Sequence, residues 1–179
     1  MKIIIALGNP GKKYELTRHN AGFLALDFYM KDLKTISCHS KFKAEICELH
    51  KGSTKIFFVK PQTFMNASGE AVKELVNFYN LNIENDLFVL QDEIDLPFGT
   101  IRLSKNSSAA GHNGVKDIIE KLGTQNFSRI RIGVESRPEG SQIETENFVL
   151  QNFSAEELKI FTKEVCPKIN LEIEKFIDN

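Results

Sequence analysis

The sequence predicts a single α/β domain, residues 1–179, with a central, mostly parallel sheet. Three observations carry this. A chain of 179 residues is long enough for one sizeable core. It opens on an unbroken run of apolar residues, Ile3 to Leu7, which suits a strand covered on both faces rather than one with a wet side. Further short apolar runs then alternate with segments of helical period, the pattern of strands joined by crossover helices. Apolar residues at 41% and charged residues at 26% are ordinary for a globular fold in water.

The first strand is stopped by Gly8-Asn9-Pro10-Gly11, since proline removes a donor and fixes φ while glycine permits positive φ. The chain must therefore turn at the strand's carboxyl end, where open α/β sheets bind ligands. Arg18-His19-Asn20 follows and folds back over the same edge, making Asn9 and His19 the first site candidates. Phe23, Leu26, Met30 and Leu33 then mark one face of a helix over Asn20 to Lys34. Lys41 to Ile46 alternates as a half-buried strand, with Phe42, Ala44 and Ile46 on one side, and a turn at Lys51-Gly52-Ser53 leads to an antiparallel partner over Lys55 to Lys60.

Pro61-Gln62-Thr63 ends that strand, and Phe64-Met65-Asn66 precedes a helix whose apolar face is Val72, Leu75, Val76 and Tyr79; Asn66 or Ser68 is placed to cap it. Leu87 to Gln91 is a strand handing over to Asp92-Glu93-Ile94-Asp95, where a carboxylate at the carboxyl end is well placed to orient an imidazole. The competing reading, a solvated turn, suits Asp95 better than Asp92. Thr100 to Leu103 is a further strand, and after a polar loop Gly111-His112-Asn113-Gly114 opens a helix stopped by Gly123, its first N–H groups free to receive an oxyanion. Arg129, Arg131 and Gly133 alternate with Ile130, Ile132 and Val134, a strand expected to turn its basic side outward. Arg137 to Asn147 has no period; Ser154 with Glu157 is a capping box, and the helix behind it is expected to break near Pro167.

Net charge is −1, but Gly99 to Gly133 carries six basic residues against two acidic ones while Ser141 to Asn179 carries eight acids against four lysines. A basic face on a neutral protein is compatible with a phosphate-bearing ligand, though charge alone favours a solvated face. Cys38, Cys47 and Cys166 lack any C-x-x-C spacing, so neither a disulfide framework nor a thiolate metal site is expected, and a reducing cytosol fits. No signal peptide or long apolar span is present, and the sequons at Asn66 and Asn106 carry no weight without secretion. No G-x-S-x-G elbow surrounds a serine, His19, His39, His50 and His112 show no paired metal spacing, and Gly8 to Lys13 does not meet the phosphate-loop pattern.

Four of these segments, in order, resemble the bacterial-type peptidyl-tRNA hydrolase family: "GNPG" with Tyr14 and "RHNAG" (8–22), "PQTFMNASG" (61–69), "DEIDLP" (92–97) and "GHNG" followed by "VKDI" (111–118). The likeness spans Lys2 to Phe153. It implies a three-layer α/β/α fold with a mixed, mostly parallel sheet, and hydrolysis of the ester joining a peptide to tRNA in the cytoplasm by a monomer without cofactor or metal. It implies His19 as general base and Asp92 as its orienting partner. Asn9, Tyr14, Phe64, Met65, Asn66, His112 and Asn113 would contact substrate, and an arginine matched by Arg131 would clamp a tRNA phosphate with a lysine. Counting back from His112 puts Ser104 at the lysine's position and Lys105 one residue later. Arg137 to Asn147 resembles the family's mobile lid. Where the family is glycine-rich this chain has Asn106-Ser107-Ser108-Ala109-Ala110, expected to be less permissive in φ. Two alternatives stand beside this reading: a noncatalytic RNA-binding relative of splicing-factor type, and a nucleoside phosphorylase-like or peptidase-like enzyme, which would need neither Arg131 nor Lys105.

Overall fold

In the computed structural model, which describes residues 1–34 and 36–179, the opening apolar run is the middle of the molecule. Ile3, Ile4, Ile5 and Ala6 in β1 (Lys2–Ala6) are fully buried, each isoleucine withdrawing a side chain from water for about 1.5–3 kcal/mol. α1 (Ala21–Met30) follows, then β2 (Ser37–Lys41), β3 (Ala44–Lys51), β4 (Thr54–Pro61), α2 (Ser68–Tyr79), the single turn α3 (Ile83–Asp86) and β5 (Leu87–Pro97). The chain continues through β6 (Ile101–Lys105), α4 (Asn113–Leu122), β7 (Ser128–Glu135), α5 (Thr145–Val149), α6 (Ala155–Ile160) and α7 (Cys166–Asp178).

The seven strands run β2-β3-β4-β1-β5-β7-β6, with β1 parallel to both β4 and β5, β5 parallel to β7, and antiparallel partners at each side. Alternation along the strands divides the core between two helical layers. Ile4, Ala6, Phe88, Leu90 and Ile130 pack with Leu26 of α1 and Ile169 and Ile173 of α7. Ile3, Ile5, Leu7, Leu87 and Val89 pack with Val72 and Leu75 of α2 and Val115 and Ile118 of α4. The expected α/β/α sandwich with a mixed, mostly parallel sheet is what the chain forms. Its carboxyl edge is drawn together at Gly22, where an added Cβ would lie 2.6 Å from the carbonyl oxygens of both Leu7 and Leu90. Only a glycine lets the helix start, with His19 just ahead of it, sit on the ends of β1 and β5.

Several local expectations are corrected. Lys41 closes β2, and Phe42 and Lys43, both at φ 53°, form the two-residue turn into β3. That turn usually asks for Asn or Gly, so alternation across it reads as one strand. The same hairpin sets Cys38 opposite Cys47, and they form a disulfide; spacing alone could not show a pairing created by register, and the cysteines give no support to a reducing compartment. Neither Asn66 nor Ser68 caps α2: Asn66 lies in a 3₁₀ turn (Met65–Ala67), Ser68 Oγ donates to the Met65 carbonyl, and the open Gly69 N–H is taken instead by Asp117 of α4 at 2.7 Å. Pro167 does not break the last helix. A π turn over Phe161–Val165 lets α7 begin with the proline in its first turn, where a missing N–H costs nothing.

Candidate active site

His19 sits in a 3₁₀ turn (Arg18–Asn20) and Asp92 near the carboxyl end of β5, 73 residues apart in sequence. His19 Nδ1 lies 2.9 Å from each carboxylate oxygen of Asp92, so the ring's Nε2 is the nitrogen left for chemistry. A second imidazole reaches the same carboxylate, His112 Nε2 standing 2.9 Å from Asp92 Oδ1. His112 is also the residue that caps α4, its Nδ1 accepting the Val115 N–H at 3.3 Å. An accepting Nδ1 carries no proton, so the ring proton is on Nε2 and is donated to Asp92. One of the helix-start N–H groups expected to be free for an oxyanion is thereby used inside the protein.

Burial works against charge on His19, but the Asp92 charge and hydrogen bond outweigh it and raise its pKa above 6.5. Burial alone would raise the Asp92 carboxyl; the two imidazoles beside it reverse this and hold it well below the ordinary carboxylate range. His19 Nδ1, Asp92 and His112 offer ligand atoms within 4.8 Å of one another, close enough for a metal ion, though the hydrogen bonds just described already employ all three.

Asn9 joins the loops around this cluster. Its backbone N–H and C=O pair with the Asn20 amide at 2.8 and 3.0 Å, and its Oδ1 accepts the Met65 N–H at 2.8 Å. With Oδ1 so used, the amide nitrogen is the group Asn9 has left to offer. Gly114 permits the matching approach from α4, since a Cβ there would lie 2.5 Å from Met65 Sδ. Asn66 and Asn113 are exposed, and neither side chain has a hydrogen bond among the described residues. Asn9, His19, Phe64, Met65, Asn66, Asp92, His112 and Asn113 all line one open cavity of about 520 Å³. A base, a carboxylate and three amides thus converge on one space, an arrangement fitted to activating water and binding an oxyanion.

The peptidyl-tRNA hydrolase family model matches residues 3–179. This chain belongs to that family. It is 45% identical to the peptidyl-tRNA hydrolase of Mycoplasma mycoides over 179 residues, covering all of this chain and 94% of the relative. With that of Listeria welshimeri it shares 48% identity over 86% of this chain and 81% of the relative. The crystal structure of peptidyl-tRNA hydrolase from Acinetobacter baumannii superposes with a TM-score of 0.83 at 27% identity, covering 99% of this chain and 93% of that one.

Other residues for which the family likeness implies substrate contacts lie outside the cavity. Tyr14 stands behind Phe64, their rings edge to face with centroids 6.4 Å apart. Arg131 gives its Nε to Glu93 at 2.8 Å. Lys105 does not share a face with Arg131: it lies across from Ser128 in the β6–β7 register and pairs with Glu84 at 3.1 Å, whereas the residue facing Arg131 is Arg102. Nor does β7 turn its whole basic side to solvent. Arg129 is 1% exposed, donating to Gln91 Oε1 at 3.1 Å and to the Ser107 and Ser108 carbonyls at 2.5 and 2.9 Å. It holds the glycine-poor loop in place, with Asn106 at φ 50° and Ala110 at φ 47°.

Thr145, Glu146, Val149 and Leu150 also line the cavity; none was named as a site residue, though the first two lie in the segment likened to the family's lid. The segment read as an aperiodic lid runs into a short helix, and the sequence signal for Val149 and Leu150 was the apolar run Phe148-Val149-Leu150. Among the described residues no helix is long and apolar enough to cross a membrane.

Proposed function

We propose that the protein hydrolyses the ester between the peptidyl group and the terminal ribose of peptidyl-tRNA, freeing the tRNA for translation. The contact that carries this reading is the His19–Asp92 pair at 2.9 Å, lining one cavity with Asn9, Asn66 and Asn113, whose amide nitrogens have no partner among the described residues. His19 Nε2 takes a proton from water as the oxygen adds to the ester carbonyl, and Asp92 favours the imidazolium that results. Amide N–H groups of Asn9, Asn66 and Asn113 receive the tetrahedral oxyanion. Its collapse breaks the bond to the ribose oxygen, which leaves with the proton from His19, giving a free peptide acid and tRNA. Tyr14, Phe64 and Met65 bound the groove, and His112 steadies Asp92 from its other side.

For the tRNA end we assign phosphate binding to Arg131, with Arg102 rather than Lys105 as the second charge, because the register sets Arg102 and Arg131 on one face. A cytoplasmic monomer working without metal or cofactor completes the reading. The test is release of a labelled N-acyl amino acid from N-acylaminoacyl-tRNA, alongside binding of uncharged tRNA. Turnover by the intact protein, falling by about 10²–10⁴ in His19→Ala, is expected, the usual range for a general base. Binding without turnover would favour the noncatalytic RNA-binding alternative.

A further inference from the structure

Arg18, the neighbour of the catalytic histidine, is buried, as Arg129 is, but its partners lie elsewhere in the fold. It is 6% exposed and lies against the protein's own C-terminal third rather than solvent or the cavity. Its Nη1 donates to the Asn152 carbonyl at 2.7 Å and the Gln151 carbonyl at 3.3 Å. Its Nη2 reaches both carboxylate oxygens of Glu157, at 2.8 and 2.9 Å. The guanidinium carbon is 4.3 Å from the centre of the Phe148 ring, and Phe153 flanks it at 5.4 Å. Backbone contacts add to this: the Arg18 N–H donates to Gln151, the Phe153 N–H donates to Leu16, and Thr17 bridges Asn152.

Glu157 is equally occupied. It accepts from Ser136 Oγ at 2.6 Å, just past the end of β7, and closes the capping box with the Ser154 N–H at 2.7 Å. One ion pair thus joins the His19 turn, the end of β7 and the start of α6, on either side of α5. Val149 and Leu150, beside Phe148, are the cleft wall. Removing two charges from water is costly, and such a pair is better understood as fixing a geometry than as raising stability.

We infer that Arg18 and Glu157 are positioning residues that lock the α5 wall of the cleft against the segment bearing His19, and so set how tightly the acyl end of the substrate is held. The identity of that substrate rests on the function proposed above; the lock itself does not. Neither residue reaches the cavity, so the effect passes through Phe148 and its neighbours.

Glu157→Gln isolates the charge, because glutamine at the third helical position still completes a capping box. Ser154→Ala is its counterpart, removing the cap and keeping the ion pair. Amide hydrogen exchange over residues 141–152 is measured with KM and kcat for N-acylaminoacyl-tRNA. For Glu157→Gln, exchange there is expected to quicken by tenfold or more, with KM rising three- to tenfold and kcat within twofold. The pH at which the rate rises should stay put, since the His19–Asp92 pair is untouched. Ser154→Ala should lower the melting temperature without moving KM. Arg18→Lys, which keeps the charge but cannot fork, should fall between wild type and Glu157→Gln. Unchanged exchange and KM in a folded Glu157→Gln would overturn the lock, as would a loss confined to kcat. Should wild type show no turnover, the function fails while the exchange measurement still decides the lock.

Discussion

Asp92 receives two imidazoles, and the consequences for them differ because their far nitrogens differ. His112 has its outer nitrogen committed to the α4 backbone, whereas His19 keeps Nε2 open to the cavity. That asymmetry, not proximity to the carboxylate, is the ground for proposing His19 as the base. Its raised pKa fixes a sign. The base form is the working form, so rate should climb as pH passes through a value above 6.5 and level off beyond it. In Asp92→Asn the influence that raises the pKa is gone and burial, which lowers it, remains. The rise is expected to move to lower pH while the plateau drops at least tenfold, measured as kcat/KM against pH. A shift to higher pH would mean that Asp92 does not set the basicity of His19. His19, Asp92 and the asparagines were legible in the sequence because each is a polar residue beside a strand end or helix start. Arg18 and Arg129 were not, nor was the ion pair that Glu157 makes beyond its capping box, since nothing local distinguishes a buried arginine from a solvated one; the partners of the two arginines lie 21 to 139 residues away.

Loop 106–110 shows how an element can keep a conformation that its residues resist. Ala110 at φ 47° pays roughly 1–2 kcal/mol for left-handed backbone, and the Arg129 hydrogen bonds to Ser107 and Ser108 hold the loop in place regardless. Ala110→Gly relieves the backbone at a smaller entropic loss in the unfolded chain. A net gain of about 0.5–1 kcal/mol is expected, raising the thermal midpoint by roughly 2–3 °C. A lowered midpoint in calorimetry would show that residue 110 is not held left-handed. Strands β1, β4, β5 and β7 and the helix faces were readable because apolar period survives any tertiary setting. The β2–β3 turn and the disulfide were not, because Phe42 and Lys43 carry no turn signature and Cys38 finds Cys47 only through register.

For the whole molecule, charge decides how tRNA is met. A formal charge of −1 gives little long-range attraction, so phosphate affinity must be local. Arg131→Ala and Arg102→Ala are each expected to reduce the slope of log affinity for tRNA against log salt by about one unit, and Lys105→Ala to leave it unchanged. A slope that responds to Lys105 instead would restore it as the second charge. The order of strands carries a different implication. β7 inserts between β5 and β6, and both Ser136 and Glu157 lie beyond it, so the cleft is finished only by residues that leave the ribosome late. While it is being made, this chain is itself a peptide esterified to tRNA, the kind of bond it is built to cut. A nascent form ending before Ser128 holds both imidazoles and Asp92 yet lacks the strand that braces them, and such a truncation should be inert in the release assay. That expectation rests on strand order alone: the site is complete only once β7 is in place beside β5.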